Sequence, residues 1–177
     1  MKRTISILVL VFTVLAPRTA GAQEMRDMPA ASCTKPAELP AELAGWTAKT
    51  PLASATDVSG LDGAMLAVGH RAIVTLHPTR EIHYITQPKK PDGSVAHGGM
   101  LAVAISAAGA YQVSLDSRVW IDVLKDGKAV ISSAHAPGQA CTGIRKTVRF
   151  PLTPGRYVIQ MSANAAPTIS VMVSQVP

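Results

Sequence analysis

The chain has 177 residues, with 17 lysines and arginines, 11 aspartates and glutamates, and a formal net charge of +6. This length fits one domain with a continuous core. Three of the basic residues lie before residue 23, where there is no acid, so 14 basic residues face 11 acidic ones in the rest of the chain. With so small an excess and no long Lys/Arg tract, nucleic acid is excluded as an expected partner.

The first 22 residues have the three parts of a secretory signal peptide. Lys2 and Arg3 supply a positive start, residues 5–16 form an apolar run, and residues 20–22, Ala-Gly-Ala, suit a signal peptidase. The run is shorter than the roughly 20 apolar residues that a membrane span needs. We therefore predict a signal peptide over residues 1–22, a periplasmic or secreted protein, and no membrane anchor after cleavage.

Residues 23–63 are predicted to form an extended leader that is rich in proline and alanine. Four prolines between Pro29 and Pro51 interrupt any regular element. Residues 41–46 have room for one helical turn, and Trp46 is expected to cover an exposed edge of the core. The domain itself is then expected over residues 64–177.

The two cysteines, Cys33 and Cys141, are predicted to form a disulfide, because an exported protein meets an oxidising environment. The bridge would pin the leader across the domain. It would close a loop of about 100 residues, worth roughly 4 to 5 kcal/mol in the chain-entropy account. Two free thiols and metal ligation are the alternatives. Cys33 lies too far beyond the apolar run to be a lipid-attachment site.

After residue 63, short β-type runs alternate between apolar and polar residues and are separated by Gly, Pro, Asp or Asn. This pattern predicts an all-β protein, an antiparallel β-sandwich of jelly-roll or immunoglobulin-like type. The predicted strands cover residues 65–68, 71–76, 81–87, 100–106, 110–116, 119–124, 128–132, 145–150, 156–162 and 168–174.

One hairpin stands out among these strands. Asp126 and Gly127 follow the strand 119–124, and Asp-Gly suits the positive φ angles of a tight hairpin turn. Val119, Ile121 and Val123 share one face of that strand, because side chains alternate along a strand. This face is expected to point into the core.

Residues 99–173 carry a resemblance to a known family. The sequence Gly-Ala-Tyr-Gln-Val-Ser-Leu at residues 109–115, the Asp126-Gly127 hairpin and Leu-Thr-Pro-Gly-Arg-Tyr-Val-Ile at residues 152–159 stand in this order. Together they resemble the bacterial pre-peptidase C-terminal type of β-sandwich. The resemblance implies a non-catalytic module of the kind that accompanies secreted enzymes.

The five histidines all lie between residues 70 and 135. If residues 81–87 form a strand, Glu81 and His83 point to one face, and a turn at Pro78 brings His77 beside them. Two histidines and one carboxylate are the ligands of non-haem iron oxygenases, such as homogentisate 1,2-dioxygenase. A small metalloprotein with this site is the alternative function. In the simpler interpretation, these side chains flank a hairpin and stay in solvent.

Other chemistry has weaker support. His97 or His135 with the sulfurs of Met25 and Met28 would suit copper or zinc, although no dense Met or His repeat is present. Cys141 and His135 lack an orienting third residue for nucleophilic catalysis. The common hydrolase and phosphate-loop motifs are absent from the sequence. No cofactor is favoured, and iron, copper and zinc stay open.

Two polar connections are predicted to form the binding surface, because loops carry function disproportionately. Residues 87–99 contain Lys89, Lys90 and His97, and residues 132–143 contain His135. The basic side chains suit a small anionic ligand, such as a sugar acid, phosphate or carboxylate, or a periplasmic protein. The favoured function is a non-catalytic interaction or ligand-binding module.

Overall fold

The computed structural model describes residues 33–35, 37–89 and 96–177. The predicted signal peptide, Met25, Met28 and Lys90 lie outside the described residues. Short 3-10 helices cover Ala41–Thr47, Val58–Gly63 and Thr79–Glu81. The strands are β1 (Thr50–Ala53), β2 (Ala72–Thr75), β3 (His77–Pro78), β4 (His97–Ile105), β5 (Gly109–Leu115), β6 (Trp120–Lys125), β7 (Lys128–Ala129), β8 (Ala134–Pro137), β9 (Lys146–Leu152), β10 (Gly155–Asn164) and β11 (Thr168–Val176). None of the helices in these ranges has the length and hydropathy that crossing a bilayer requires.

The strands form two sheets, and the predicted all-β sandwich is confirmed. The six-stranded sheet has the order β1-β2-β11-β5-β9-β8, and the five-stranded sheet has the order β3-β4-β10-β6-β7. All neighbours are antiparallel except β1 and β2, which are parallel. The chain passes from β7, at the end of one sheet, directly to β8, at the end of the other.

The hydrophobic core is shared by both sheets. Val113 and Val171 of the six-stranded sheet and Val103 and Ile159 of the five-stranded sheet are at most 2% exposed. These β-branched side chains sit at alternate positions of their strands, which is the burial that the period-two pattern predicts.

The predicted hairpin is confirmed. Asp126 and Gly127 have φ angles of 50° and 73°, and β6 and β7 pair on either side of them. Val119, Ile121 and Val123 all belong to the core cluster, as the alternation predicted. A glycine is needed here because two consecutive positive φ angles are unfavourable for most side chains.

The disulfide between Cys33 and Cys141 is confirmed, with the two Cα atoms 5.4 Å apart. The chain that it anchors lies against the outer face of the six-stranded sheet. There Trp46, which is 3% exposed, packs with Met172 of β11, and its Nε1 donates a hydrogen bond to the Thr142 carbonyl at 3.0 Å. Trp46 therefore covers part of the outer face of the six-stranded sheet.

The predicted strand over residues 81–87 was wrong. This segment leaves the sheets and crosses the outer face of the five-stranded sheet, where the buried Gln160 side chain replaces a strand partner. Gln160 Oε1 accepts hydrogen bonds from the backbone N–H groups of Ile85 and Thr86 at 2.7 and 3.2 Å, and its Nε2 donates to the Thr86 carbonyl at 3.0 Å. Nearby, Tyr84 donates its hydroxyl to the Met161 carbonyl at 2.8 Å, and Gly98 leaves the space that the Tyr84 ring end occupies.

Other strand predictions differ in extent. The predicted strand 65–68 is reduced to one bridge between Met65 and Ala102, and the predicted strand 128–132 is reduced to β7. The predicted leader contributes β1, which pairs with β2, so the sheet begins before residue 64. Strand β8 lies inside the predicted loop 132–143. Pro51 and Pro137 hid these two strands, because proline is tolerated in edge strands although it weakens a strand pattern.

We expect the Cys33→Ser/Cys141→Ser double variant to lose about 2 to 5 kcal/mol of unfolding free energy. The two cysteines are 108 residues apart, so the bridge restricts a large part of the unfolded chain. Urea denaturation followed by circular dichroism measures the loss, and the wild type in reducing buffer is the control. A loss below about 1 kcal/mol would contradict the stabilising role of the bridge.

A second test concerns Gln160. Replacing it with leucine leaves the N–H groups of Ile85 and Thr86 without their acceptor, and we expect a loss of about 2 to 3 kcal/mol of unfolding free energy. Gln175→Leu is the matched control because Gln175 is exposed near the end of β11. Equal denaturation midpoints for the two variants would show that losing the Gln160 hydrogen bonds costs no more stability than replacing an exposed glutamine.

Candidate functional site

An open cleft of about 450 Å³ lies between the sheets, on the side where β7 and β8 form their ends. We call it the edge cleft. Its lining combines apolar side chains of β6 and β9 with an aromatic ring and several charged groups. The apolar part includes Ile121, Val123, Val148 and Phe150, and the polar part includes Lys89, Trp120, Asp122, His135 and Lys146.

Lys146 is the half-buried cation of the edge cleft. Its Nζ donates a hydrogen bond to the Val119 carbonyl at 2.8 Å and lies 5.9 Å from the centre of the Trp120 ring. Burial lowers the pKa of Lys146 from its ordinary value, and the negative charge of Asp122 partly opposes this by raising it. Two ion pairs form among the described residues, Arg80 with Glu81 and Arg156 with Asp62, and neither involves this ammonium group.

Asp122 orients the aromatic side of the edge cleft. Its Oδ2 accepts a hydrogen bond from Trp120 Nε1 at 3.1 Å. The two residues are two apart in β6, so both point to the same side of the strand. The hydrogen bond holds the indole beside Lys146, where a flat group on a ligand would contact both the ring and the cation.

The charge around the edge cleft is mainly positive. Residues 127–177 contain five basic residues and no acidic one. Two of the five, Lys146 and Arg149, lie in β9, and Arg145 directly precedes that strand. Local sequence patterns assign no binding role to Lys146 or Trp120, although the run of bases without acids points to β9.

The edge cleft brings together two residues of the predicted binding surface. Lys89 and His135 both line it, although they come from different connections. Lys90 lies outside the described residues. His97 is in β4 and is not part of the lining, and its Nδ1 is buried without a hydrogen-bond partner.

The residues of the predicted iron site have other neighbours. His77 Nε2 lies 3.1 Å from the Ser54 carbonyl oxygen, and Glu81 pairs with Arg80 at 3.6 Å. His83 is exposed on a segment that is not a strand. The strand alternation that would have put Glu81 and His83 on one face is therefore absent from this segment. Within the ranges that the structure describes, no three His, Cys, Asp or Glu side chains are grouped so that they could hold a metal.

Comparison with known proteins does not place the chain in a family. No protein-family model and no curated protein matches the sequence. The resemblance of residues 99–173 to the pre-peptidase C-terminal sandwich therefore stays a prediction. The residues of the edge cleft are the basis for inferring function.

We predict that Asp122→Asn lowers the pKa of Lys146 further, because it removes the negative charge that favours the ammonium form. The amide oxygen can still accept the Trp120 hydrogen bond, so the indole stays in place. Titration of the lysine side-chain carbon resonances by NMR, assigned with Lys146→Met, measures the change. An unchanged or raised pKa would contradict the proposed charge coupling.

The same lowered pKa predicts how stability depends on pH. Between the lowered pKa of Lys146 in the folded protein and the ordinary lysine pKa of about 10.5 in the unfolded chain, the unfolded state binds more protons. The unfolding free energy contributed by this group therefore rises with pH across that window. Lys146→Met should lack this rise in denaturation curves taken at increasing pH, and an equal rise in both proteins would refute the assignment.

Proposed function

We propose that this chain is exported and that its sandwich is a non-catalytic binding module. Two features support export: the signal-like composition of residues 1–22, and the Cys33–Cys141 disulfide, which fits an oxidising environment. The resemblance of residues 99–173 to accessory sandwiches of secreted enzymes supports the non-catalytic role. A periplasmic or secreted location follows as part of this proposal.

The proposed ligand is a small anion with a flat apolar portion, and the edge cleft is its site. The observation that carries this proposal is that Lys89, His135 and Lys146 surround the same cleft as Trp120. Cations attract a carboxylate or phosphate, and the indole offers a face for stacking. The volume of about 450 Å³ is in the range of small-molecule sites.

Lys146 is the group that we expect to contribute most to affinity. Its ammonium group is half-buried, so a charge-assisted hydrogen bond to a ligand is less screened than one from an exposed lysine. The apolar side chains of Ile121 and Val148 line the same cleft and would contact the apolar part of the ligand. The ligand would thus be held by one charge contact and by burial of apolar surface.

Calorimetric titration with 2-naphthoate, indole-3-acetate and phenyl phosphate tests this function. We expect saturable binding at the edge cleft, weakened about tenfold by Lys146→Gln, because a hydrogen bond to a charged group contributes about 1.5 to 3 kcal/mol. Trp120→Ala should weaken binding by a similar factor. The neutral 2-naphthamide should bind less tightly than 2-naphthoate.

Lys125→Gln is the matched control. Lys125 also lies on β6 beside an aromatic ring, 5.2 Å from the centre of Tyr157, but it is not part of the cleft lining. Binding of none of the three anions would contradict the proposed function. Equal effects of Lys146→Gln and Lys125→Gln, or equal affinity for the amide and the carboxylate, would also contradict it.

A further inference from the structure

Strand β8 is an exposed edge of the six-stranded sheet with a concave surface on each of its faces. All four of its residues are exposed. His135 lies opposite Val148 and lines the edge cleft on one face. On the other face, Ala134 and Ala136 lie opposite Arg149 and Thr147, and these four residues, together with His135, line a second depression of about 250 Å³, which we call the outer depression.

The backbone of β8 is paired on one side only. It is bonded to β9, and its other side has no strand neighbour within the described residues. In an antiparallel strand, alternate residues direct their N–H and C=O groups away from the neighbour. Such an edge accepts an additional strand, whose side chains fall alternately on the two faces of the sheet.

The side chains of β8 do little to block such pairing. Natural edge strands are commonly protected by lysine, by other charges or by proline. Here the protection consists of Pro137 at the end of the strand, while Ala134 and Ala136 leave room for a second backbone. Ile131, just before the strand, is 86% exposed and could make apolar contact with a strand added to β8.

The charge on both faces of β8 is complementary to carboxylates. Lys89 and Lys146 line the edge cleft, and Arg149 lines the outer depression. Asp122 is the acidic residue among the lining residues of these two surfaces. An incoming strand with acidic side chains at neighbouring positions would thus meet a cation on each face.

We propose that β8 receives an extended acidic segment of a partner protein as an added strand. Neighbouring carboxylates of that segment lie towards Lys146 in the edge cleft and towards Arg149 in the outer depression. This inference rests on the proposed function, because the anionic group that the edge cleft takes is here a peptide carboxylate. Backbone hydrogen bonds to β8 provide affinity that does not depend on the side chains.

The test uses a fluorescein-labelled peptide with two adjacent glutamates flanked by valines and threonines, together with versions that carry a single N-methyl group on successive amides. Fluorescence anisotropy measures binding to the full chain. We expect N-methylation of every second amide to weaken binding about tenfold or more, and methylation of the amides between them to have little effect. This alternation is specific to strand pairing, because a peptide held by charge alone has no such periodicity.

Side-chain variants test the two faces. Lys146→Gln and Arg149→Gln should each weaken binding several-fold, whereas Lys125→Gln and Lys49→Gln, away from β8, should leave it unchanged. A peptide that does not bind, the absence of alternation along the N-methyl series, or an unchanged affinity in Arg149→Gln would overturn the inference.

Two further outcomes separate this inference from the proposed function. If 2-naphthoate binds the edge cleft and the peptide does not, strand addition is wrong and the small-ligand function stands. If the peptide binds with the expected alternation and all three small anions fail, the small-ligand function is wrong. Sedimentation that shows a dimer whose formation excludes the peptide would overturn the inference in favour of a second copy on β8.

Discussion

The structure depends on the packing of two sheets over one apolar core, which requires each strand to bury alternate side chains. That requirement leaves the outer faces of both sheets to be covered by other parts of the chain. On the six-stranded sheet, Trp46 packs on Met172 and the Cys33–Cys141 bridge holds this region of the chain to the body. On the five-stranded sheet, the segment over residues 82–89 is held by the side chain of Gln160. In both regions, hydrogen bonds from protein side chains replace those that water would otherwise make with the covered backbone groups.

Tyr84 belongs to the segment that covers the five-stranded sheet, and its pKa is raised there. Burial raises the pKa of Tyr84 to about 12, so its hydroxyl remains a neutral donor to the Met161 carbonyl across the ordinary pH range. Gly98 contributes by leaving space beside this ring. The segment that follows ends at Lys89, which lines the edge cleft. The segment that covers the five-stranded sheet thus places Lys89 on the side where β7 and β8 end the two sheets.

The edge cleft follows from the short connection between β7 and β8. Because the chain passes directly from the end of one sheet to the end of the other, the end strands β7 and β8 lie on the same side of the sandwich. Lys146 is half-buried there in a partly apolar setting, and this burial lowers its pKa. The exposed residues of β8 lie beside the same cleft, and strand addition there is our second proposal. If both proposals hold, charge and strand pairing together select an extended acidic segment more sharply than either one alone.

Local patterns in the sequence determined the period-two strands, the Asp126-Gly127 hairpin, the inward face of β6 and the pairing of the two cysteines. Each of these depends on neighbouring residues or, for the cysteines, on the absence of other partners. The tertiary structure alone decided that residues 81–87 leave the sheets, that β8 forms an edge, and that Lys89, Trp120, His135 and Lys146 share one cleft. Lys89 and Lys146 are 57 positions apart, and no local rule relates them. Their proximity arises from the order in which strands from distant parts of the chain pair, and that order is set by burial of the common core.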